Sequence, residues 1–473
     1  MFTVRLAENN EISTLLSKNE DHFFDIKSKR IAPADLQETF VAFANSDGGD
    51  IYIGIEDIKS KRPNRIFGFI NQEEANDHLA TLLEETKPSV ENIDIEFIDC
   101  KQHGFILHIS VPKSPKVHFT AKDKCYIRIN AQTKSIKGER VLALGYAKGS
   151  YQYEKNAVDN VPLEDILESE YLCSYMDRVD THLDPVKFLR KQRCLDLKGD
   201  AYLPNVCCVL LFDEEPQASL DTRCGIKVFR MRTSSDTYNR DQLDGMPKTV
   251  SGPIEQQIDE TMTVLNEMLQ NTLYNIGGEY IRLKYPTIAL KEVIVNAIIH
   301  RDYSLNDDIQ IIVYDNRVEI RSPGRLPGFI TISNIYDERY SRNPNIVRML
   351  HALPNPPNHD IGEGLNTVKN ELKRVGLIDP VIAEEGNYVV VKIYHRRMAT
   401  LEQIIIDVFR KDPRAVITNK QIRAISGEQN INIVKKALQA LRKAEYIEKT
   451  DKTSVTFNYK YKLTKKGSDT WLN

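Results

Sequence analysis

Residues 290–300 read LKEVIVNAIIH, and residues 309–325 read IQIIVYDNRVEIRSPGR. In the first stretch Leu290, Val293, Ile294, Ala297 and Ile298 recur at helical spacing, which predicts a helix with one apolar face. Glu292 and Asn296 are four residues apart, so they project from another face one turn apart. In the second stretch, residues 309–314 alternate, Asp315-Asn316 turns the chain, and residues 318–321 return as the partner of a hairpin. Ser322-Pro323-Gly324-Arg325 then opens a long segment without strong periodicity, holding Arg342-Asn343-Pro344 and the Pro-rich run 354–357. Gly362-Glu363-Gly364-Leu365 starts a second helical pattern through Val368, Leu372 and Val375, and Gly376 ends it. Residues 388–394 supply a closing strand.

A Glu and an Asn one turn apart carry little by themselves. Two glycines at a helix N-terminus add to them, because backbone N–H groups and the helix dipole can then meet a phosphate directly. The order of helix, hairpin, glycine motif, irregular segment, second glycine motif with helix, and strand resembles the GHKL (Bergerat-type) ATP-binding fold. That resemblance implies ATP and Mg²⁺ as cofactors. It places Glu292 as the residue that orients or activates the attacking water, and Asn296 as the Mg²⁺ ligand. Gly324 falls in the first glycine box, and Gly362 and Gly364 in the second. His300-Arg301-Asp302-Tyr303, Glu319-Ile320-x-Ser322-Pro323-Gly324 and Arg342-Asn343-Pro344 bring the segment nearer to an ATP-binding family with a helicase-related, RecG-type name. No Walker A motif or helicase core accompanies it, so the helicase name carries no weight. Where most GHKL proteins have an Asp that accepts from the adenine amine, this chain has Ser322, which leaves adenine selectivity less secure than phosphate binding.

Toward the N-terminus, residues 34–45 show helical spacing, and Asn45-Ser46-Asp47-Gly48-Gly49 breaks it. Ile51, Ile53 and Ile55 alternate into a strand that ends on Glu56-Asp57, and residues 93–98, 105–111 and 125–129 alternate likewise. Glu20, Asp25, Glu56 and Asp57 form an acidic set around Lys27. Carboxylates beside a lysine can hold a divalent metal for phosphodiester cleavage; equally, acidic residues at a strand end are ordinary solvated groups. Glu20-x4-Asp25-Ile26-Lys27, Ala42-Phe43-Ala44-Asn45-x-x-Gly48-Gly49 and Gly54-x-Glu56 resemble the Schlafen/AlbA-type domain. The resemblance implies a nucleic-acid-binding or nuclease domain with Glu20, Asp25 and Glu56 on Mg²⁺ or Mn²⁺ and Lys27 beside them. Two of those three carboxylates are swapped between Asp and Glu relative to the family, which changes their reach. Lys113, Lys116, Lys122, Lys124 and Arg128, with Tyr126 among them, suggest either a phosphate-tracking surface or a plain charged sheet edge.

Residues 151–284 offer no catalytic constellation. They read as an acidic helical stretch at 163–176, two apolar strands at 206–212 and 225–231, and an amphipathic helix at 254–273. Residues 399–473 show three helical patterns and a hairpin-like pair, a layout that looks like a winged helix-turn-helix. This segment has 15 Lys and Arg against 8 Asp and Glu, within a chain of formal net charge -3. Lys435, Lys436, Arg442 and Lys443, on or beside the third helix, are its candidate nucleic-acid contacts, with Lys460 and Lys462 on the wing.

The chain therefore reads as an α+β multidomain protein. Its expected parts are a Schlafen/AlbA-like domain at 1–150, an α/β linker at 151–284, a GHKL α/β sandwich at 285–398 and a winged helix at 399–473. No apolar run approaches the ~20 residues of a membrane span, and residues 1–10 lack an apolar signal core. Seven cysteines, scattered apart from Cys207-Cys208, point to reduced thiols in the cytoplasm rather than to disulfides or zinc. The expected partners are ATP and RNA or DNA, with no membrane and with a homo-oligomeric state. The function expected first is an ATP-controlled, metal-dependent nuclease, with phage defence implied by the resemblance alone. The alternative is an ATP-responsive DNA-binding regulator without nuclease activity.

Overall fold

The computed structural model describes residues 2–8, 10–57, 65–270, 274–276, 279–281, 285–357, 364–394, 401–426, 431–450 and 459–471. The described chain forms two compact units: one of residues 1–375 and 379–395, the other of residues 376–378 and 396–473.

The first unit begins with a five-stranded sheet, in the order Thr3–Leu6, Asp94–Asp99, Phe105–Val111, Gly49–Ile53, Phe24–Lys27. The helix Pro33–Asn45 packs on one face of it, and Leu36, Phe40 and Phe43 share a dry core with Ile51, Ile53, Phe97, Leu107 and Ile109. Burying each such side chain stabilises the fold by about 1.5–3 kcal/mol. The sequence after this helix is dictated by crowding. A side-chain carbon on Gly48 (φ 80°) would lie 2.6 Å from Val111 O, and one on Gly49 would lie 2.6 Å from both Phe23 O and the Phe43 ring. Asn45 brackets the neighbouring segment. Its Nδ2 donates to His118 O and Tyr126 O at 2.9 Å each, and its Oδ1 accepts from His118 N at 2.8 Å.

The second sheet of this unit has six strands, in the order Leu243–Val250, Ile226–Met231, Ile309–Val313, Arg317–Pro323, Tyr388–Tyr394, Val381–Glu385. Ile226–Met231 pairs in parallel with Ile309–Val313, from Ile226 opposite Ile309 to Arg230 opposite Val313. The boundary expected at 284/285 therefore runs through one continuous sheet. Pairing between strands some 80 residues apart leaves no local trace in a sequence. The helices Ile254–Gln270 and Thr287–Ile299 pack on this sheet, and Gly364–Arg374 packs against Thr287–Ile299.

Two local expectations are corrected. Residues 206–212 are not a strand but the helix Val206–Phe212, with every residue buried. A short apolar run buried on all sides has no periodicity to betray it, and the available signal was Asn205, whose side chain caps the helix by accepting from Cys208 N. The irregular stretch after Gly324 contains a helix, Pro344–His351, with Pro344 at its first position and Glu154 accepting from the N–H groups of Asn345 and Ile346.

Among the described residues the second unit has four helices, Leu401–Lys411, Asn419–Ser426, Ile431–Lys443 and Lys465–Trp471, around Ile405, Phe409, Ile422, Leu438 and Trp471. Thr418 and Gln421 cap one another at the start of the second helix, at 2.9 and 3.2 Å. A three-stranded sheet, in the order Ile417–Thr418, Lys460–Leu463, Ile447–Lys449, completes the unit. The mixed α+β, multidomain character expected from the sequence is borne out. Among the described residues, no helix is long and apolar enough to cross a membrane.

Candidate functional site

The helix Thr287–Ile299 lays Leu290, Val293, Ile294 and Ile298 into the core and turns its polar stripe toward a cavity of about 690 Å³. On that stripe Asn296 Nδ2 donates to Glu292 Oε1 at 3.1 Å. This bond turns the amide so that its nitrogen, not its oxygen, faces the carboxylate. Gly364, the first residue of the helix Gly364–Arg374, closes onto the same pair: a side-chain carbon there would lie 2.0 Å from Glu292 Oε1 and 3.2 Å from Asn296 Nδ2. Glu292, Asn296 and Gly364 thus converge from two helices, although Glu292 and Gly364 are 72 residues apart in sequence.

Gly324 lines the same cavity. Its φ of 113° and the Arg342 guanidinium, 2.4 Å from where a side-chain carbon would stand, both demand glycine. Arg342 is buried beneath it and donates to His300 O at 2.9 Å, Ala147 O at 2.8 Å and Arg325 O at 2.7 Å. The motif residues around it hold the backbone in the same way. Asn343 Nδ2 donates to Ile299 O and Arg301 O, and Arg301 donates to the carbonyls of Arg223 and Asp307. Arg301, Arg342 and Asn343 of the His-Arg-Asp-Tyr and Arg-Asn-Pro motifs are therefore scaffold beside the cavity, whereas His300 lines it. Ser322 lies in the cavity wall, with its hydroxyl donating to Ala297 O at 2.7 Å. Gly362 lies outside the described residues.

Part of the wall is apolar, with Ile320, Ile382, Val389 and Val391, and Glu338 lines it as well. Lys291, Arg325 and Arg339 bring positive charge to it. These three were not singled out in the sequence. Lys291 was legible as the neighbour of Glu292, whereas Arg325 and Arg339 reach the cavity from a loop whose path has no periodicity. Burial, and then the Arg342 charge, push His300, which lines the cavity, down to about 4.

In the N-terminal sheet the structure gathers Glu20, Asp25 and Lys27. Lys27 Nζ bonds to Asp25 Oδ1 and lies 3.5 Å from Glu20 Oε1. Burial, and then the neighbouring Asp25, raise the Glu20 carboxyl above its ordinary value. Glu56 has its own partner, Ser28 Oγ, at 2.9 Å. Asp25 is 1% exposed, and its second oxygen accepts from Arg128 Nη1 at 2.6 Å. Both Asp25 oxygens are thus taken by cations. Among the described residues no group of three or more His, Cys, Asp or Glu is placed to hold a metal ion. The acidic set as it stands does not fit a divalent metal.

The expected basic surface is also corrected. Arg128 is buried, donating to Asp21 O at 3.0 Å and lying over the Phe43 ring. Lys113 is 10% exposed and gives its ammonium to Leu326 O and Ile330 O at 3.0 Å each. Tyr126 is buried and bonds to Glu38. Alternation in a strand shows which residues share a face, not which face is covered. Lys116, Lys122 and Lys124 are exposed. In the second unit, Lys435, Lys436, Arg442 and Lys443 are all exposed, while Val434, Ala437, Leu438 and Leu441 of the same helix are buried.

The fold and the site define a multidomain α+β protein with a glycine-walled cavity under an Asn-Glu helix, joined to a sheet domain with an acidic edge. Comparison with known proteins finds a match for two segments of the chain. Residues 20–137 match the family described as "Schlafen, AlbA_2", and residues 306–393 match that described as "Putative ATP-dependent DNA helicase recG C-terminal". The Schlafen/AlbA-type likeness and the RecG-type likeness read from the motifs are borne out. No curated protein matches the chain. Among solved structures, the DIP2311 protein from Corynebacterium diphtheriae is similar at 17% identity over 96% of each chain, with a TM-score of 0.41. At that score it carries no argument about fold or function.

Proposed function

We propose that this chain is an ATP-binding, nucleic-acid-directed protein in which the cavity beside Glu292 and Asn296 takes the nucleotide. The observation that carries the reading is the convergence of Glu292, Asn296 and the Gly364 backbone on one cavity. A glycine-started helix offers N–H groups to phosphate, the apolar wall suits a purine base, and the cationic rim balances polyphosphate charge. The Asn296 amide oxygen and the Glu292 carboxylate are hard donors that fit Mg²⁺, which would supply charge neutralisation on the phosphates. Glu292, fixed by its bond from Asn296, is placed to orient a water and accept its proton.

Nucleic-acid direction draws on the Schlafen/AlbA_2 match and on the exposed basic helix face of the second unit, which has the layout of a winged helix. Of the two modes of action, binding without cleavage has the better support, because Arg128 and Lys27 hold the Asp25 oxygens that a metal-dependent nuclease needs. The nuclease reading, with a role in phage defence, rests on the gathering of Glu20, Asp25 and Lys27 and is the second reading. Incubating the full chain with tRNA, single-stranded DNA and duplex DNA tests both, with Mg²⁺ or Mn²⁺ and with or without ATP. Salt-sensitive binding without strand scission, weakened by removing residues 399–473, supports the first reading. Scission lost in Glu20→Ala/Asp25→Ala supports the second.

A further inference from the structure

Arg325 lines the cavity next to Gly324, yet its guanidinium is turned to two carboxylates, Asp47 at 3.3 Å and Glu384 at 3.2 Å. Both distances are long for charge-assisted bonds, which usually close to about 2.7–2.9 Å. The Arg325 side chain is also 44% exposed, so the pair is weak and readily exchanged. Asp47 is different: it is 15% exposed and has two further partners, His22 Nε2 at 2.8 Å and Lys113 Nζ at 3.8 Å. Burial works against its charge, but Arg325, His22 and Lys113 together keep the Asp47 carboxyl below its ordinary value.

Asp47 belongs to the turn that ends the helix Pro33–Asn45, and His22 to the segment that carries Glu20 and Asp25. That segment is tied down by its backbone. Phe23 O accepts from Asp50 N at 2.8 Å, and Asp21 O accepts from Arg128 Nη2 at 3.0 Å. Direct contacts therefore run from the cavity through Arg325 and Asp47 to His22, which lies two residues from Glu20 and three from Asp25 along the chain. The loop that carries Arg325 is held to the same domain by the bonds of Lys113 to Leu326 O and Ile330 O.

We propose that Arg325 is a phosphate-engaging cation of the cavity, and that engaging phosphate takes it from Asp47, so that nucleotide binding is coupled to the N-terminal acidic set. The proposal rests on the nucleotide reading above. A polyphosphate carries several negative charges and outcompetes the two long pairs, to Asp47 and Glu384, for the half-exposed guanidinium. Coupling of this kind is reciprocal: Asp47 opposes nucleotide binding by as much as nucleotide loosens the hold on Asp47.

The test is a double-mutant cycle on the full chain, with Mg²⁺-ATP affinity read by calorimetry. Asp47→Asn tightens binding about two- to fivefold, Arg325→Ala weakens it, and Asp47→Asn has no effect in the Arg325→Ala background. Asp47→Glu, which keeps the charge, stays near the wild-type affinity. Hydrogen exchange of the amides of residues 20–25 rises on adding Mg²⁺-ATP in the wild type and not in Arg325→Ala, which a merely structural Asp47 does not explain. An Asp47→Asn variant that binds no more tightly, or that acts equally in both backgrounds, overturns the coupling. If Asn296→Ala abolishes binding in that case, the nucleotide reading survives alone. A wild-type chain that binds no nucleotide removes both.

Discussion

Gly364 and Glu292 are in such close approach that a side-chain carbon on the glycine would stand 2.0 Å from the carboxylate oxygen. The glycine is required by its neighbour rather than by its own backbone angles. Gly364→Ala must push Glu292 or the start of the helix Gly364–Arg374 aside. The variant is expected to keep its thermal transition within a few degrees and to lose about tenfold or more in nucleotide affinity, since a ~1 Å displacement is costly in a preorganised site. Calorimetry beside a melting curve checks this, and unchanged affinity would show that the cavity does not use this contact.

Asp25 and Arg128 form a buried ion pair, 1% and 2% exposed at their side chains. Arg128→Met leaves a carboxylate under the sheet with one cation in place of two. The expected loss of stability is about 3–5 kcal/mol, the usual result of removing one partner from a buried pair. Urea denaturation measures it. A loss below about 1 kcal/mol would mean that Asp25 is free enough to serve as a metal ligand, and would revive the nuclease reading.

Lys148 is 5% exposed, donates to Ala44 O at 3.0 Å, and is pushed down to about 7 by burial and then by Lys113. Above about pH 7 the folded chain binds one proton fewer at this site than the unfolded chain, whose lysines titrate near 10.4. The Lys148 contribution to stability therefore becomes more favourable as pH rises through this window. Lys148→Met is expected to remove that part of the slope between pH 7 and 10, as read by melting temperature. An identical slope in the variant would contradict the assignment.

Glu154 carries the opposite sign. Burial raises its carboxyl to about 7, against the pull of the N–H groups of Asn345 and Ile346 at 2.7 and 2.9 Å. Between roughly pH 4.3 and 7 the folded chain holds a proton there that the unfolded chain has lost, so this contribution to stability falls as pH rises. Glu154→Gln keeps an acceptor and is expected to flatten that fall. Glu154→Ala leaves the N–H groups of a buried helix start without an acceptor and is expected to cost about 1–3 kcal/mol at neutral pH.

The two domains with motifs were legible because crowding writes itself into sequence. Gly48, Gly49 and Gly324 stand where a side-chain carbon would collide, and Asn45 brackets three backbone groups at once. The pairing of Glu292 with Asn296 follows from helical spacing alone. What stayed hidden was non-local. No spacing rule shows that Ile226–Met231 joins the sheet of Ile309–Val313, or that Arg128 lies under Asp25 instead of on the surface. The helix Val206–Phe212 was misread as a strand because an element buried on every side loses its period, although Asn205 marked its start. Arg325 and Arg339 reach the cavity from a loop, where neither period pattern applies.

The central claim is that the cavity over Glu292 and Asn296 takes a nucleotide with its metal ion. The most direct measurement is calorimetric titration of ATP into the full chain, with and without Mg²⁺, for the wild type and Asn296→Ala. Saturable binding that needs Mg²⁺ and weakens at least about tenfold in the variant, as loss of a metal-ligating side chain does, is the predicted result. Absence of binding in the wild type, or equal affinity in the variant, would contradict it.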